Sequence, residues 1–342
     1  MIRRFRVLSA AFMVAALAVS SGCSSSDDEA STGGSSAGGK VDKVVYATAF
    51  GAVGRDSFVW LAKEKGYFKE AGIDIDIQKG AGNVQNLTMI KSDQAQFAAL
   101  DFTGAVIQAG TGKFTDWKAV AAIHQQTLVA ILTTQDTKIT SPADLQGKTV
   151  AAGAATVSQL LFPAYAKLAG IDPTKVTIKG VQTTALNSLM AKNQVDALST
   201  FLLSKKALET ASKKQVTVLP YSTYLSDLYG NAIIAKPSLI SSNPDLVKRF
   251  VAAAMKGLQY TLEHPDEAAA VMNKAEPTAA IPAAIGEIDA MKPYTTAPGG
   301  GALGSMDEQR VAKSIAVLSG AGLMPDGLKP TDVVDFSFTP KA

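Results

Sequence analysis

The chain has 342 residues, with 33 lysines and arginines against 30 acidic residues and a formal charge of +3. Arg3, Arg4 and Arg6 account for that excess, so the remainder is balanced and carries no basic stripe of the kind that nucleic-acid binding requires. The only cysteine, Cys23, excludes a disulfide framework within one molecule.

The three arginines open a positive segment, and residues 7–19 are apolar and uncharged. That run is too short for a stable membrane span and suits the core of a signal peptide over residues 1–22. Ser20, Ser21 and Gly22 then lead to Cys23. The arrangement resembles the bacterial lipobox, whose cysteine is lipidated, although Ser20 stands where leucine is usual. An ordinary secretory signal is the alternative. Residues 24–39 (SSSDDEASTGGSSAGG) offer nothing apolar larger than alanine, so residues 23–40 are expected to be a flexible tether. A folded part of about 300 residues remains, enough for two lobes.

Residues 43–48 (KVVYAT) predict a buried strand, and the segment 58–64, capped by Asp56 or Ser57 and stopped at Gly66, predicts a helix. Residues 73–77 (IDIDI) alternate strictly, the pattern of a strand with one wet face. Strands at 96–100, 149–152, 175–178 and 195–199 alternate with helical stretches at 86–91, 157–168 and 185–192, which argues for parallel α/β units. The halves also echo one another: 71–80 (AGIDIDIQKG) against 169–180 (AGIDPTKVTIKG), and 89–100 against 189–200. Ser141-Pro142-Ala143-Asp144 predicts a helix start. Residues 120–133 are expected to be paired strands that carry the chain across, with a return near 220–235. Asn243-Pro244 opens a long amphipathic helix, and residues 305–308 (SMDE) predict a capping box for the last one.

Four segments then carry a family resemblance: WLAKEKGYFKEAGIDIDI at 60–77, SPADLQGKTVAAGA at 141–154, NQVDAL at 193–198 and NPDLVKRFVAA at 243–253. In this order they resemble the periplasmic-type binding proteins of the nitrate, taurine, sulfonate and thiamine-pyrimidine-precursor group. The resemblance implies a two-lobed α/β fold of the periplasmic binding protein type, type II-like, with two crossover hinges. Residues 41–130 and 225–342 are expected to form one lobe and 131–224 the other. It also implies a monomeric receptor, lipid-anchored on the extracytoplasmic face of the cell membrane, that delivers a small organic solute to an ABC permease and its ATPase. No cofactor is expected.

In such folds the ligand lies beyond the carboxyl ends of the strands, near helix N-termini. Four loops are therefore candidates. In 49–56, Phe50 could stack on a ring and Arg55 could pair with an anion, or remain solvated on the rim. In 101–104, Asp101 could accept from a ligand or simply cap the next helix, and Phe102 could line the pocket or belong to the core. In 153–158, Ala155, Thr156 and Ser158 could leave backbone amides reachable; the resemblance implies that this turn touches the ligand's polar end. Phe201 follows the last predicted strand of the second half, in place of the tryptophan of many relatives, and Tyr229 and Asn231 lie on the return. The aromatic residues point to a ring-bearing ligand, beside sulfonate or carboxylate.

His124 and His264 lack partners at metal-ligand spacing, so no metal site is expected. Gly110 to Phe114 departs from a P-loop at Ile107 and Phe114. The chain is read as a non-enzyme. The alternatives are a pyrimidine-precursor synthase on the same fold, which would resemble this chain but carry a cysteine-rich motif, and a ligand-sensing surface lipoprotein.

Overall fold

Residues 41–341 are described by the structure, a computed structural model. The expected signal peptide, Cys23 and the tether lie outside these residues. The first half runs β1 (Asp42–Ala47), α1 (Ser57–Glu64), α2 (Tyr67–Glu70), β2 (Ile73–Gln78), α3 (Asn83–Lys91), β3 (Phe97–Asp101), α4 (Phe102–Gly110) and β4 (Lys118–Ala122). The second runs β5 (Val129–Thr134), β6 (Thr149–Gly153), α5 (Val157–Leu160), α6 (Phe162–Leu168), β7 (Thr177–Val181), α7 (Leu186–Ala191), β8 (Ala197–Phe201), α8 (Lys205–Ser212) and β9 (Val216–Pro220). The return comprises β10 (Asn231–Ala235), α9 (Pro237–Ser242), α10 (Pro244–Glu263), α11 (Pro265–Ala275), α12 (Ile281–Met291), α13 (Glu308–Gly320) and α14 (Pro330–Val333).

These strands form two five-stranded sheets, ordered β2-β1-β3-β10-β4 and β7-β6-β8-β5-β9. In the first, β10 is antiparallel to β3 and β4; in the second, β5 is antiparallel to β8 and β9. Each sheet thus takes its one reversed strand from the chain beside a crossing. The segments that echo one another in sequence occupy equivalent places: β2 and β7 are the outer strands, and β3 and β8 are third in order. This is the periplasmic binding protein fold, with two α/β lobes.

Residue pattern explains position. In β2, Ile73 and Ile75 are buried while Asp74 and Asp76 are exposed, as an edge strand with one wet face demands. The strands β3, β5 and β10 are buried throughout and sit inside their sheets. The helix α10 turns Leu246, Val247, Phe250 and Leu258 inward, and Phe250 stacks on Phe97 with ring centroids 3.8 Å apart. Gly257 lets α10 approach α1, since a Cβ there would lie 2.6 Å from that of Ala62.

Three sequence expectations are corrected. β4 and β5 do not pair, because each joins a different sheet and the chain between them changes lobe. Ser141 and Asp144 do form a capping box, but Pro142–Leu145 is a single 3-10 turn rather than the start of a longer helix. The cap of α13 is Asp307, whose side chain accepts from the amide of Arg310 at 2.7 Å; it stands two residues beyond the predicted Ser305. The crossings are residues 123–128 and 221–230. They pack tightly, since a Cβ on Gly230 would lie 2.8 Å from both the Gln126 carbonyl oxygen and His124 Cβ.

Candidate functional site

The loop after β1 is pinned before it reaches the space between the lobes. Asn86 donates to the carbonyls of Thr48 (2.9 Å) and Ala99 (2.6 Å), and Thr48 Oγ1 donates to the Gly51 carbonyl at 2.6 Å. Asp56, fully buried, does not cap α1; its Oδ1 accepts from the Ala49 amide at 3.1 Å. The following turn, Gly54–Asp56, rests on α12, and Gly54 makes this possible: a Cβ would fall 2.2 Å from the Ala284 carbonyl oxygen. Arg55 is thereby held with its guanidinium 5.7 Å from the centre of the Phe201 ring. Arg55 belongs to the first lobe and Phe201 ends β8 of the second, so the lobes meet here. α12 packs on both the Gly54–Asp56 turn and the Leu202–Ser204 turn, one from each lobe.

Arg55 is surrounded by groups that burial has disturbed. Its Nε lies 3.6 Å from Asp56 Oδ2. Burial raises the Asp56 pKa, partly offset by the Arg55 charge and by the amides of Ala49 and Phe50. Burial pushes Asp101 up to about 7, opposed by the Gly104 amide and by Arg55. Glu287, on α12, is raised by burial too, against the pull of Arg55. His124 is pushed down to about 3 by burial, then by the Arg55 charge. Arg55 Nε and Asp56 Oδ2 have only one another, at ion-pair rather than hydrogen-bond distance, and two further buried atoms of this cluster, Asp101 Oδ2 and Glu287 Oε2, meet no hydrogen-bond partner among the described residues.

Asp101 is the cap of α4, its Oδ1 accepting from the Gly104 amide at 2.7 Å, while Oδ2 is left over. Asn83 clamps the same residue, donating to its carbonyl at 2.7 Å and accepting from its amide at 3.1 Å. Asn231 stands directly opposite Asp101 in the β10–β3 ladder, so the two side chains share a face. Phe50 is 53% exposed and bridges to Ala81, on the rim.

Phe102 takes its core alternative, and Tyr229 packs with it. Phe102 and Tyr229 are buried at 1% exposure and pack edge-on at 5.9 Å, within the core of the first lobe. Phe102 is the first residue of α4, and its ring also meets Trp117 edge-on at 6.2 Å. Tyr229 accepts from the Asp307 amide at 3.0 Å. The 153–158 turn is bonded to itself. The Ala155 amide (φ +58°) donates to Gln159 Oε1 at 2.7 Å, the Thr156 amide to the Gly153 carbonyl at 3.2 Å, and the Thr156 and Ser158 hydroxyls bond to one another at 2.8 Å. The amides of Ala155 and Thr156 thus have partners within residues 153–159, although Ala155 itself is exposed. Sequence reasoning missed Glu287 and Asn83 and gave His124 no role. Only Asn83 had a local signal, as a polar residue opening a helix.

A sequence model of the family described as NMT1/THI5 like matches residues 57–268. The riboflavin-binding protein RibY of Chloroflexus aurantiacus is 25% identical over 214 residues, covering 61% of this chain and 59% of that protein. The formylaminopyrimidine-binding protein of Halalkalibacterium halodurans is 24% identical over 217 residues, covering 63% and 65%. The chain thus aligns with under two thirds of the length of either relative. Among solved structures, the periplasmic aliphatic sulphonate binding protein SsuA of Escherichia coli superposes with a TM-score of 0.69 at 16% identity, covering 86% of this chain and 92% of that one. The desulfurization enzyme DszB shares the fold at a TM-score of 0.58 and 14% identity, covering 87% and 97%.

Proposed function

The chain belongs to the NMT1/THI5-like family, and from that premise we propose that it is the solute-binding component of an ABC importer. It is lipid-anchored through Cys23 on the extracytoplasmic face of the membrane, acts as a monomer, and hands its solute to a permease driven by an ATPase. The solute is a small organic molecule held between the lobes. The candidate residues offer Arg55 to a sulfonate or carboxylate and Phe201 to an aromatic, pyrimidine-like ring, with Asp101 and Asn231 as further partners; the carboxyl groups around Arg55 weigh against the anion. Phe50 from the first lobe and Ala155, Thr156 and Ser158 from the second are further candidate contacts.

The observation that carries this reading is the meeting of Arg55 with Phe201, ringed by buried polar atoms that find no partner among the described residues. Buried polar groups are rarely left unmatched, and where several gather between two lobes a bound solute is one way to satisfy them. A solute gives them partners, and a two-lobed frame with paired crossings lets it enter before the lobes draw together.

The test is a melting-temperature panel of riboflavin, formylaminopyrimidine, aliphatic sulfonates and small carboxylates. A solute at a hundredfold its Kd stabilises by about 2.7 kcal/mol, a shift of several degrees. If no member of the panel moves the curve, the proposal fails. DszB supports an enzyme on this fold as the second reading. Recovering the bound solute unchanged after prolonged incubation favours a receptor; its conversion favours an enzyme.

A further inference from the structure

Arg55 already has a counter-ion. Asp56 is wholly buried with an oxygen 3.6 Å from Nε, so the pair is near neutrality before any solute arrives. Two more carboxyl groups feel the Arg55 charge: Asp101 at the end of β3, and Glu287 on α12, the helix that packs on the Gly54–Asp56 turn. Asp101, 7% exposed, uses one oxygen to cap α4 and leaves Oδ2 without a donor among the described residues. Glu287, whose carboxyl is also drawn on by the backbone amides of Arg55 and Gly54, leaves its buried Oε2 without a partner meeting hydrogen-bond geometry among the described residues. The other titratable groups near this cluster are His124 on the first crossing, which burial keeps neutral, and Tyr46 on β1, which faces Asp56. Arg55 is thus the one cation among the described groups that act on the cluster, set against three carboxylates.

Resting on the reading of this cleft as a solute site, we infer that it selects a solute with no net negative charge that carries a hydrogen-bond donor beside an acceptor, and that Glu287 is a specificity-determining residue. The acceptor goes to Arg55, and the N–H or N⁺–H goes to Asp101 Oδ2 or Glu287 Oε2. Once ionised, which for Asp101 means above about pH 7, a carboxylate oxygen accepts only, so each free atom then demands a donor. A sulfonate or a simple carboxylate brings acceptors alone. It would meet a guanidinium whose charge is already compensated and two oxygens that repel it, in a setting where burial magnifies the repulsion. Glu287 reaches the cluster from α12, beyond the residues that match the family model. The fold shared with a sulfonate-binding protein therefore does not carry over to the charge of this cleft.

The experiment uses methanesulfonate as probe at pH 8.5, with calorimetry on the folded chain, its Asp101→Asn/Glu287→Gln variant and the same variant with Arg55→Ala. The first two changes keep side-chain shape, and asparagine still caps α4; melting curves and near-UV circular dichroism verify the fold. The unmodified protein should bind methanesulfonate at least about tenfold more weakly than the double variant, the difference expected from removing two like charges. Adding Arg55→Ala should abolish the gain. Equal affinity in the unmodified protein and the double variant overturns the inference, as does a gain that survives loss of Arg55. This failure is distinct from failure of the receptor proposal, in which no solute of any charge moves the melting curve of the unmodified protein.

Discussion

The backbone amide of Asn231 donates to Nδ1 of His124 at 3.2 Å. That bond assigns the proton of the neutral imidazole to Nε2, which faces Met291 Sδ at 3.4 Å. Asn231 is also the ladder partner of Asp101. A histidine kept neutral and a carboxyl group that burial protonates below about pH 7 therefore flank one residue, and both feel Arg55.

Their contributions to stability run in opposite directions with pH. Asp101 has a folded pKa of about 7 against 3.8 unfolded, so the folded state holds the extra proton between those values and stability falls as pH rises from about 4 to 7. His124 has a folded pKa of about 3 against 6.5, so the unfolded state holds the extra proton and stability falls as pH drops from about 6.5 to 3. Each effect amounts to roughly 4–5 kcal/mol at most, and between about pH 4 and 6.5 their slopes cancel. Asp101→Asn should gain stability over the unmodified protein progressively from about pH 4 to 8. His124→Gln should gain relative stability from about pH 7 down to 4. Urea titrations at about pH 4.5, 6 and 8 check both slopes, and parallel profiles for all three proteins would refute the assignment.

Arg310 joins the two crossings to α13. It donates to Gln125 Oε1 at 3.1 Å, to the Gln125 carbonyl, and to the Ser226 carbonyl at 3.1 Å, and its guanidinium lies 4.1 Å from the Tyr229 ring centre. Gln125 in turn donates to the Ser305 carbonyl at 2.7 Å. Arg310→Ala strips donors from both crossings and should destabilise by about 1–3 kcal/mol. Arg310→Lys should recover only part of this, because an ammonium lacks the planar fork. Hydrogen exchange confined to 123–128 and 221–230 should rise in Arg310→Ala; protection unchanged there would remove the clamp.

Much of the fold was legible because its cues are local. The alternation of residues 73–77 announced an edge strand, and the two echoing segments fell on β2 and β7 and on β3 and β8. The cleft was legible only at its loop ends. Asp101 and Phe102 are adjacent, yet one keeps an oxygen free of partners among the described residues while the other enters the core, because β3 gives way to α4 between them and the periodicity changes there. Glu287 had no sequence signal, since nothing local to α12 says that Ala284 rests on Gly54 and brings it to Arg55. The self-bonded 153–158 turn was equally hidden: Gln159, which takes the Ala155 amide, reads as an ordinary helical residue.

The proposed anchor depends on one atom. Lipidation of Cys23 would form a thioether on the only thiol in the chain. Cys23→Ala should move the protein from the membrane fraction to the soluble one while leaving its melting temperature unchanged after purification. Retention in a carbonate-washed membrane pellet would contradict the anchor.

The contact between Gly54 and Ala284 sets the distance between α12 and the Arg55 turn. A methyl group at Gly54 would lie 2.2 Å from the Ala284 carbonyl oxygen and 2.7 Å from its Cα, both backbone atoms that no rotamer change can move. Gly54→Ala must therefore push α12 outward, at a cost of about 1–3 kcal/mol typical of overpacking. The displacement also separates Glu287 from Arg55 and loosens α12 from the Leu202–Ser204 turn, which it touches on the other lobe. Solute affinity should fall together with stability. Adding Ala284→Gly, which removes a side chain but not the clashing carbonyl, should not rescue the variant. Limited proteolysis between residues 276 and 281 reads the displacement directly: faster cleavage in Gly54→Ala is expected, and an unchanged rate with unchanged affinity would show that α12 does not depend on this glycine.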